Sequence, residues 1–312
     1  WIGNFKINGG LTATGGAGIH IVGTSPTGSD YPIVTGNQIL DNHIGTLDGG
    51  TPAPNSNYGI LVDARTKDTI ISGNQVSWNG TTQFLANISI ASLRAATVDT
   101  EIENTRVTNN IIGAATDGSV ITNGNKGHGI IVGALAKNTV IGGTGANDGN
   151  LIVGHTESDA AGVYISGSSA EPNTGTVVAG NTIGHTKGAI TVRANYYGVR
   201  IINAINATVG GPTSAYRNYI AGNSYRNVDI SGVVASNNTV ANNWIGLNST
   251  GNVVNTPNVG VRVWSNANNT TIGPGNVISG MSSAGIWVSA ANGVTIKGNY
   301  VGTNTAGSQS NA

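Results

Sequence analysis

The chain has 312 residues, of which 48 are Gly and 41 are Asn, whereas Asp, Glu, Lys and Arg together supply only 28. The 14 basic and 14 acidic residues cancel, which excludes the basic surface typical of nucleic-acid-binding proteins, and no apolar run is long enough to span a membrane. The lack of cysteine excludes a disulfide framework, and a hydrophobic fraction of 38% is too high for a disordered chain.

A short pattern recurs along the whole chain: Gly or Asn, then Ile or Val, then any residue, then Ile or Val or a similar aliphatic residue. Alternation with a period of two predicts a β-strand whose aliphatic residues point inward and whose middle residue points outward. The nine copies are residues 18–21, 59–62, 87–90, 129–132, 162–165, 198–201, 227–230, 260–263 and 285–288.

A second pattern, an Asn followed two positions later by Ile or Val, follows each copy of the first. We expect these amides to lie at equivalent tight corners, where Gly and Asn tolerate a left-handed backbone, and to hydrogen-bond from coil to coil as a ladder. The predicted ladder residues are Asn37, Asn74, Asn110, Asn150, Asn181, Asn218, Asn243, Asn276 and Asn299.

The spacing of these patterns indicates a solenoid. A third short strand lies between the other two, so each unit of about 33 residues (262/8) holds three short strands, and no segment has the apolar stripe of a helix. The sequence therefore predicts an all-β parallel solenoid of about nine coils, whose core forms only when the coils stack.

Three segments, residues 237–252, 268–280 and 285–307, resemble the right-handed parallel β-helix repeats of large bacterial surface and adhesin-like proteins. The resemblance is close over residues 198–312 and looser over 1–197. It implies a right-handed β-helix in an extracellular or cell-surface setting, and no catalytic residue. We expect residues 1–312 to be a single β-helix domain and a section of a longer rod. The same fold carries pectin-active and alginate-modifying enzymes and phage tailspikes, so a virion tail is the alternative location.

The outward residues of the first strand form a column that becomes aromatic and basic toward the C-terminal end. Sugars favour aromatic platforms flanked by hydrogen-bonding groups, so this end is a candidate glycan-binding surface, with an ordinary solvent-exposed face as the alternative. The candidate residues are Tyr164, Arg200, Arg262, Trp287 and the nearby Trp264.

The outward residues that follow the ladder asparagines form a second column. It is mostly apolar from the third coil onward and includes Tyr219, Trp244 and Tyr300. An exposed apolar row predicts contact with a glycan or with another copy of the chain, whereas a loop folded over it would make it part of the core.

Nine of the 28 charged residues fall between Asp63 and Arg106. If the protein is an enzyme, Asp63, Glu101, Glu103 and Arg106 are the candidate catalytic residues, because carboxylates beside a basic group serve glycosidases and lyases. The alternative is a solvated, salt-bridged cluster without a catalytic role.

The leading functional prediction is a non-catalytic extracellular rod that acts as an adhesin, stalk or filament subunit, with possible polysaccharide binding and with self-association side by side or head to tail. The alternative is a carbohydrate-active β-helix, either a tailspike depolymerase or a polysaccharide lyase or hydrolase. No motif indicates a cofactor or a metal ion, so none is expected.

Overall fold

The computed structural model of the chain is built from short parallel β-strands stacked in coils. It describes residues 2–3, 6–7, 16–23, 33–47, 51–80, 82, 84–93, 101–115, 125–186, 191–254 and 258–308. Within these ranges the one helical turn is a 3-10 turn at Ser214–Tyr216, and no helix is long and apolar enough to cross a membrane.

Three long sheets form the three predicted faces. Sheet A contains Ile2–Gly3, Gln38–Leu40, Ile70–Ser72, Arg106–Thr108, Val140–Gly142, Val177–Ala179, Thr208–Gly210, Thr239–Ala241, Thr271–Ile272 and Thr295–Ile296. Sheet B contains Lys6–Ile7, His43–Ile44, Gln75–Val76, Ile111–Ile112, Leu151–Ile152, Thr182–Ile183, Tyr219–Ile220, Trp244–Ile245, Val277–Ile278 and Tyr300–Val301. Sheet C contains Ala17–Ile21, Tyr58–Val62, Ala86–Ile90, His128–Val132, Ala161–Ser166, Tyr197–Ile202, Arg226–Ser231, Val259–Trp264 and Ala284–Ser289.

A fourth, shorter sheet was not predicted. Sheet D lies between sheets C and A along the chain and contains Val34–Thr35, Thr66–Lys67, Ile102–Glu103, Ala136–Lys137, Asn173–Thr174 and Ala204–Ile205. In the later coils only single bridges, such as Ser236 to Asn268, continue it. The strands of this sheet share no residue type at a fixed position, unlike those of sheet B from His43–Ile44 onward, each of which follows an Asn, and this is why the sequence did not reveal it.

The core consists of inward-facing Ile and Val side chains that stack from coil to coil. Ile60, Ile88, Ile130, Val163 and Val199, for example, follow one another in register on sheet C and are fully buried. Burying such a side chain contributes roughly 1.5–3 kcal/mol, so stability comes from contacts between coils rather than within one coil.

The asparagine ladder is confirmed from Asn74 to Asn299. Asn74 Nδ2 donates to Asn110 Oδ1 at 3.0 Å, and Asn110 Nδ2 donates to Asn150 Oδ1 at the same distance. Later rungs repeat this contact as far as the bond from Asn276 to Asn299. These side chains also donate to backbone carbonyls at the corner, so each buried amide stabilises two coils at once.

The first predicted rung, Asn37, is wrong. Asn42 occupies that position, donating to Asn74 Oδ1 through its backbone nitrogen at 2.9 Å and through Nδ2 at 3.0 Å. The strand Gln38–Leu40 pairs with Ile70–Ser72, so Asn37 lies one corner earlier than the ladder. Both asparagines fit the same three-residue pattern, and only strand register separates them. The shift also replaces Gln38 with His43 in the second outward column.

The connections from sheet B to sheet C alternate in length, which the sequence patterns did not predict. Long connections of 13 to 15 residues occupy 45–57, 113–127, 184–196 and 246–258, and short ones of 5 to 9 residues occupy 77–85, 153–160, 221–225 and 279–283. Three of the long connections contain an antiparallel bridge, for example His185 to Val192. The solenoid is therefore built from pairs of coils.

A second amide ladder lies at the corner between sheets B and C. Asn55 Nδ2 donates to Asn79 Oδ1 at 2.8 Å, and Asn195 Nδ2 donates to Asn223 Oδ1 at 3.0 Å. His155 takes one rung: its backbone nitrogen donates to Asn195 Oδ1, and its Nδ1 lies 3.0 Å from the carbonyl oxygen of Gly127. The histidine interrupts the amide chain because it carries no carbonyl group.

Candidate functional site

The outer face of sheet C carries one continuous row of aromatic and charged side chains. It occupies the same register position on five successive strands, in the order aromatic, basic, acidic, basic, aromatic. At about 4.8 Å per strand, the row is roughly 19 Å long from end to end. We call this row the strip; its residues are Tyr164, Arg200, Asp229, Arg262 and Trp287.

Asp229, at the centre of the strip, is buried and held by three side chains. Its Oδ2 accepts a hydrogen bond from Trp264 Nε1 at 3.1 Å, and its Oδ1 lies 3.5 Å from Arg226 Nη1 and 3.8 Å from Arg262 Nη1. Burial raises the pKa of Asp229 above its usual value, while the Trp264 hydrogen bond and the arginines oppose that rise. The carboxylate therefore neutralises part of the positive charge of the arginines around it.

The two arginines of the strip lie over aromatic rings. The guanidinium carbon of Arg262 is 3.8 Å from the ring centroid of Trp264 and 5.4 Å from that of Trp287. The corresponding carbon of Arg200 is 4.6 Å from Tyr197 and 5.7 Å from Tyr164. Stacking of this kind fixes the position of a long side chain and leaves its charged edge available to a ligand.

A cluster of tyrosines and Arg226 supports the strip from one side. Arg226 lies 3.9 Å from the ring centroid of Tyr225, donates to the Tyr225 hydroxyl at 2.7 Å, and is 3.4 Å from the Tyr197 hydroxyl. Tyr197, Tyr225 and Arg226 were not predicted as site residues from the sequence. Tyr197 and Arg226 both lie two residues before the inward Val of their repeats, and this shared position could have revealed them as neighbours on one sheet.

The N-terminal end of the strip meets a buried histidine. The ring of His128 stacks on Tyr164 with centroids 4.4 Å apart and an interplanar angle of 16°. Burial, together with nearby His155 and Arg200, lowers the pKa of His128 to about 3, and burial raises the pKa of Tyr197 to about 12. A general acid or base works best with a pKa near the operating pH, so neither group suits proton transfer at neutral pH.

The structure separates the eight predicted binding residues into two groups. Five of them lie together on sheet C: Tyr164, Arg200, Arg262, Trp264 and Trp287. The other three, Tyr219, Trp244 and Tyr300, lie on sheet B. Trp244 packs edge-on against Tyr219 with centroids 5.5 Å apart and lies under Arg217, whereas Tyr300 is 48% exposed.

The second outward column is largely covered by the chain itself. Leu151, Thr182 and Val277 are buried, and Leu151 packs in a small cluster with Ala114. Gln75 Nε2 donates to the carbonyl oxygen of Ala114 at 3.0 Å, so the first residues of that connection lie against the column. Over these coils the second column is therefore not an exposed apolar row. It follows the alternative prediction, in which a connection covers the column.

Among the described residues of the charged stretch 63–106, Lys67, Glu101 and Glu103 take part in partly exposed ion pairs. On sheet D, Lys67 Nζ lies 3.0 Å from Glu103 Oε2, and Lys137 pairs with Glu101. The hydrogen bond from Lys137 lowers the pKa of Glu101. Arg106 is exposed on the neighbouring sheet A.

Asp63 lies at the end of a sheet C strand, apart from the sheet D pairs in the fold. Its Oδ2 is 3.1 Å from His20 Nε2, and its Oδ1 accepts hydrogen bonds from the backbone nitrogens of Ala64 and Leu93. The described partners of Asp63, Glu101 and Glu103 are a histidine, backbone nitrogens and lysines of the fold itself. A catalytic role for these three residues and Arg106 stays a prediction.

Several solved structures are similar to this chain in fold. A mutant of the periplasmic alginate epimerase AlgG matches with a TM-score of 0.50 and 15% identity over 84% of this chain and 51% of that chain. The Dettilon tailspike protein matches with a TM-score of 0.34 and 15% identity over 92% of this chain and 60% of that chain. PfbA, a surface adhesin of Streptococcus pneumoniae, matches with a TM-score of 0.32 and 13% identity over 95% of this chain and 78% of that chain.

The chain spans about half the length of the alginate epimerase. No protein-family model and no curated protein matches the sequence. At 15% identity the likeness to the epimerase shows the fold alone. That likeness, the stacked parallel sheets and the asparagine ladder identify the chain as a right-handed parallel β-helix repeat protein.

Proposed function

We propose that the protein is a non-catalytic, extracellular or cell-surface rod that binds a polysaccharide along the strip on sheet C, as an adhesin or stalk. The strip itself is the observation that carries this proposal. It combines aromatic faces at both ends with guanidinium groups between them, all in one register position of a rigid sheet.

The physical properties of the strip suit a sugar chain. Trp287 is 45% exposed and offers a face on which a pyranose ring can stack. Arg200 and Arg262 offer hydrogen-bond donors in positions fixed by their aromatic neighbours, so little side-chain entropy is lost on binding. The pKa values of His128 and Tyr197, about 3 and about 12, favour binding over proton transfer.

Calorimetric titration of the protein with a panel of neutral and acidic polysaccharides tests this proposal. We expect Trp287→Ala and Arg262→Ala each to weaken binding of the recognised polysaccharide by about tenfold or more. Phe84→Ala is the matched control, because Phe84 is a 75% exposed aromatic residue outside the strip. Failure of every polysaccharide to bind, or equal losses in the control variant, would refute the proposal.

The alternative is a carbohydrate-active enzyme that uses Asp63, Glu101, Glu103 and Arg106. It is tested by incubating the protein with the polysaccharide that binds and measuring new reducing ends, unsaturated products and changes in uronate composition. Activity that is lost in Glu101→Gln and Glu103→Gln variants would establish this alternative over the first proposal. Self-association stays a prediction, and light scattering over a range of protein concentrations tests it.

A further inference from the structure

We infer that the strip selects a polysaccharide in which every second sugar carries an acidic group, with the sugar chain lying along the axis of the rod. This inference rests on the proposed function and adds the charge pattern and direction of the ligand. It is carried by two observations: the order of charges in the strip, and the alternation of long and short connections.

The first observation is the order of charges. Arg200 and Arg262 are separated by Asp229 in the same column, so the two cationic groups lie two strands apart, about 9.6 Å. Arg226, beside the column, contributes a further positive charge 3.5 Å from Asp229. With Asp229 buried and balanced in this way, the strip presents two cationic positions, and the position between them offers a ligand no free charge.

The second observation is independent of the side chains in the strip. The long connections 184–196 and 246–258 lead directly into the strands that carry Arg200 and Arg262. The short connections 153–160, 221–225 and 279–283 lead into the strands that carry Tyr164, Asp229 and Trp287. The two coils that carry the cationic residues of the strip are therefore the two of its five coils with long connections, and the spacing between Arg200 and Arg262 equals the two-coil period of the backbone.

A sugar chain laid along the axis advances by roughly one sugar per coil, since a pyranose unit is about as long as the spacing between strands. Acidic groups on alternate sugars then meet Arg200 and Arg262, and the sugars at either end meet the rings of Tyr164 and Trp287. A polymer with an acidic group on every sugar would place one of them opposite the buried Asp229, whose arginine partners are already paired, so the desolvation of that acidic group would not be offset.

Asp159 provides a further test of the inference at Arg200, one of the two cationic positions. Its Oδ1 lies 3.3 Å from Arg200 Nη1, which also donates to the backbone oxygen of Asp159 at 3.4 Å, and its side chain is 60% exposed. An acidic group of the ligand would take its place on Arg200. Asp159→Asn should therefore raise affinity for the acidic ligand severalfold, because the competing charge is removed.

Hexasaccharides of defined charge pattern test the inference. Hyaluronan and unsulfated chondroitin carry a carboxylate on alternate sugars, oligogalacturonate carries one on every sugar, and the chitin hexamer carries none. We expect at least one alternating hexasaccharide to bind about tenfold more tightly than both of the others. Arg200→Gln and Arg262→Gln should each reduce that preference over the chitin hexamer, whereas Lys137→Gln on sheet D should not change it.

The outcomes separate the inference from the proposed function. Binding of oligogalacturonate or the chitin hexamer as tightly as both alternating hexasaccharides would overturn the inference while leaving glycan binding in place. Failure of all four to bind would overturn the inference, and the proposed function falls as well only when no polysaccharide of the wider panel binds. Should a glutamine variant lose its fold by circular dichroism, Asp159→Asn supplies the decision, since an affinity for the alternating hexasaccharide that does not rise contradicts the inference.

Discussion

Two regions of this β-helix concentrate charge, and they use it differently. On sheet D, Lys67 and Lys137 pair with Glu103 and Glu101 at an exposed edge, so the charges cancel. In and beside the strip on sheet C, three arginines surround one buried carboxylate and stack on aromatic rings. The comparison teaches that local density of charge in a sequence says little about function, whereas burial and an excess of one sign indicate a binding surface.

The largest expected effect comes from removing the buried carboxylate. Asp229→Ala should lower the free energy of unfolding by about 3–5 kcal/mol, because it leaves Arg226 and Arg262 close together without their shared counter-ion. Urea unfolding followed by circular dichroism measures it. Glu103→Ala on sheet D is the control and should cost less than about 1 kcal/mol. Equal losses in the two variants would contradict the distinction between the regions.

The next effect depends on pH and involves His155, a buried histidine near His128, whose ring stacks on Tyr164 of the strip. Burial lowers the pKa of His155 to about 4 from 6.5, so the unfolded chain binds a proton that the folded chain does not. Stability is therefore full above pH 6.5 and falls as the pH drops from 6.5 to about 4, by about 3 kcal/mol for this residue.

Unfolding measured at a series of pH values, for the native chain and for His155→Asn, checks this effect. Asparagine at this position can restore the amide ladder and carries no titratable group, so we expect a smaller loss of stability on acidification. His43→Asn, at a half-buried histidine of sheet B, is the control. An acid sensitivity that is unchanged in His155→Asn would remove this histidine as its source.

A smaller effect is expected from exchanging the type of cation. Arg262→Lys keeps the positive charge but loses the planar stacking on Trp264, and we expect polysaccharide affinity to fall by roughly fivefold. Lys137→Arg on sheet D should leave affinity unchanged. Titration calorimetry of the two variants side by side measures this difference, and an affinity in Arg262→Lys equal to that of the native chain would show that charge alone is recognised.

The smallest effect is expected in the sheet D pairs. Because the hydrogen bond from Lys137 lowers the pKa of Glu101, the contribution of this pair is present above pH 4.5 and is lost as the pH falls below that value. Solvent screens the pair, so Glu101→Gln should change the free energy of unfolding by less than about 1 kcal/mol at pH 7. Thermal unfolding without added salt and in 1 M NaCl, where the Debye length is roughly 3 Å, measures this contribution.

The repeat patterns predicted the three main sheets, the inward columns and most of the ladder, because each of these depends on residue types at fixed intervals. The patterns failed where only the pairing register of the strands determines which residue occupies a position. Asn37 and Asn42 fit the same pattern, and only the pairing of Gln38 with Ile70 shows which one reaches the ladder. His155 in the second ladder is likewise visible only once the coils are aligned.

The candidate site was predicted in part for a similar reason. Arg200 and Arg262 follow the period of two within their strands and were placed on one face. Tyr197 and Arg226 are the first residues of their strands and lie one position before the four-residue pattern, which begins at Gly198 and Asn227, so the pattern did not include them. Trp244 was predicted in a separate column that follows the ladder asparagines, and the structure places it on sheet B, away from the strip.

The alternation of long and short connections has a consequence for anyone who wishes to lengthen or shorten this protein. Inserting one coil would place two long connections, or two short ones, in adjacent coils and would interrupt their alternation along the surface. Adding or deleting two coils together would keep that alternation. The natural unit of growth in this architecture is a pair of repeats of about 66 residues in total.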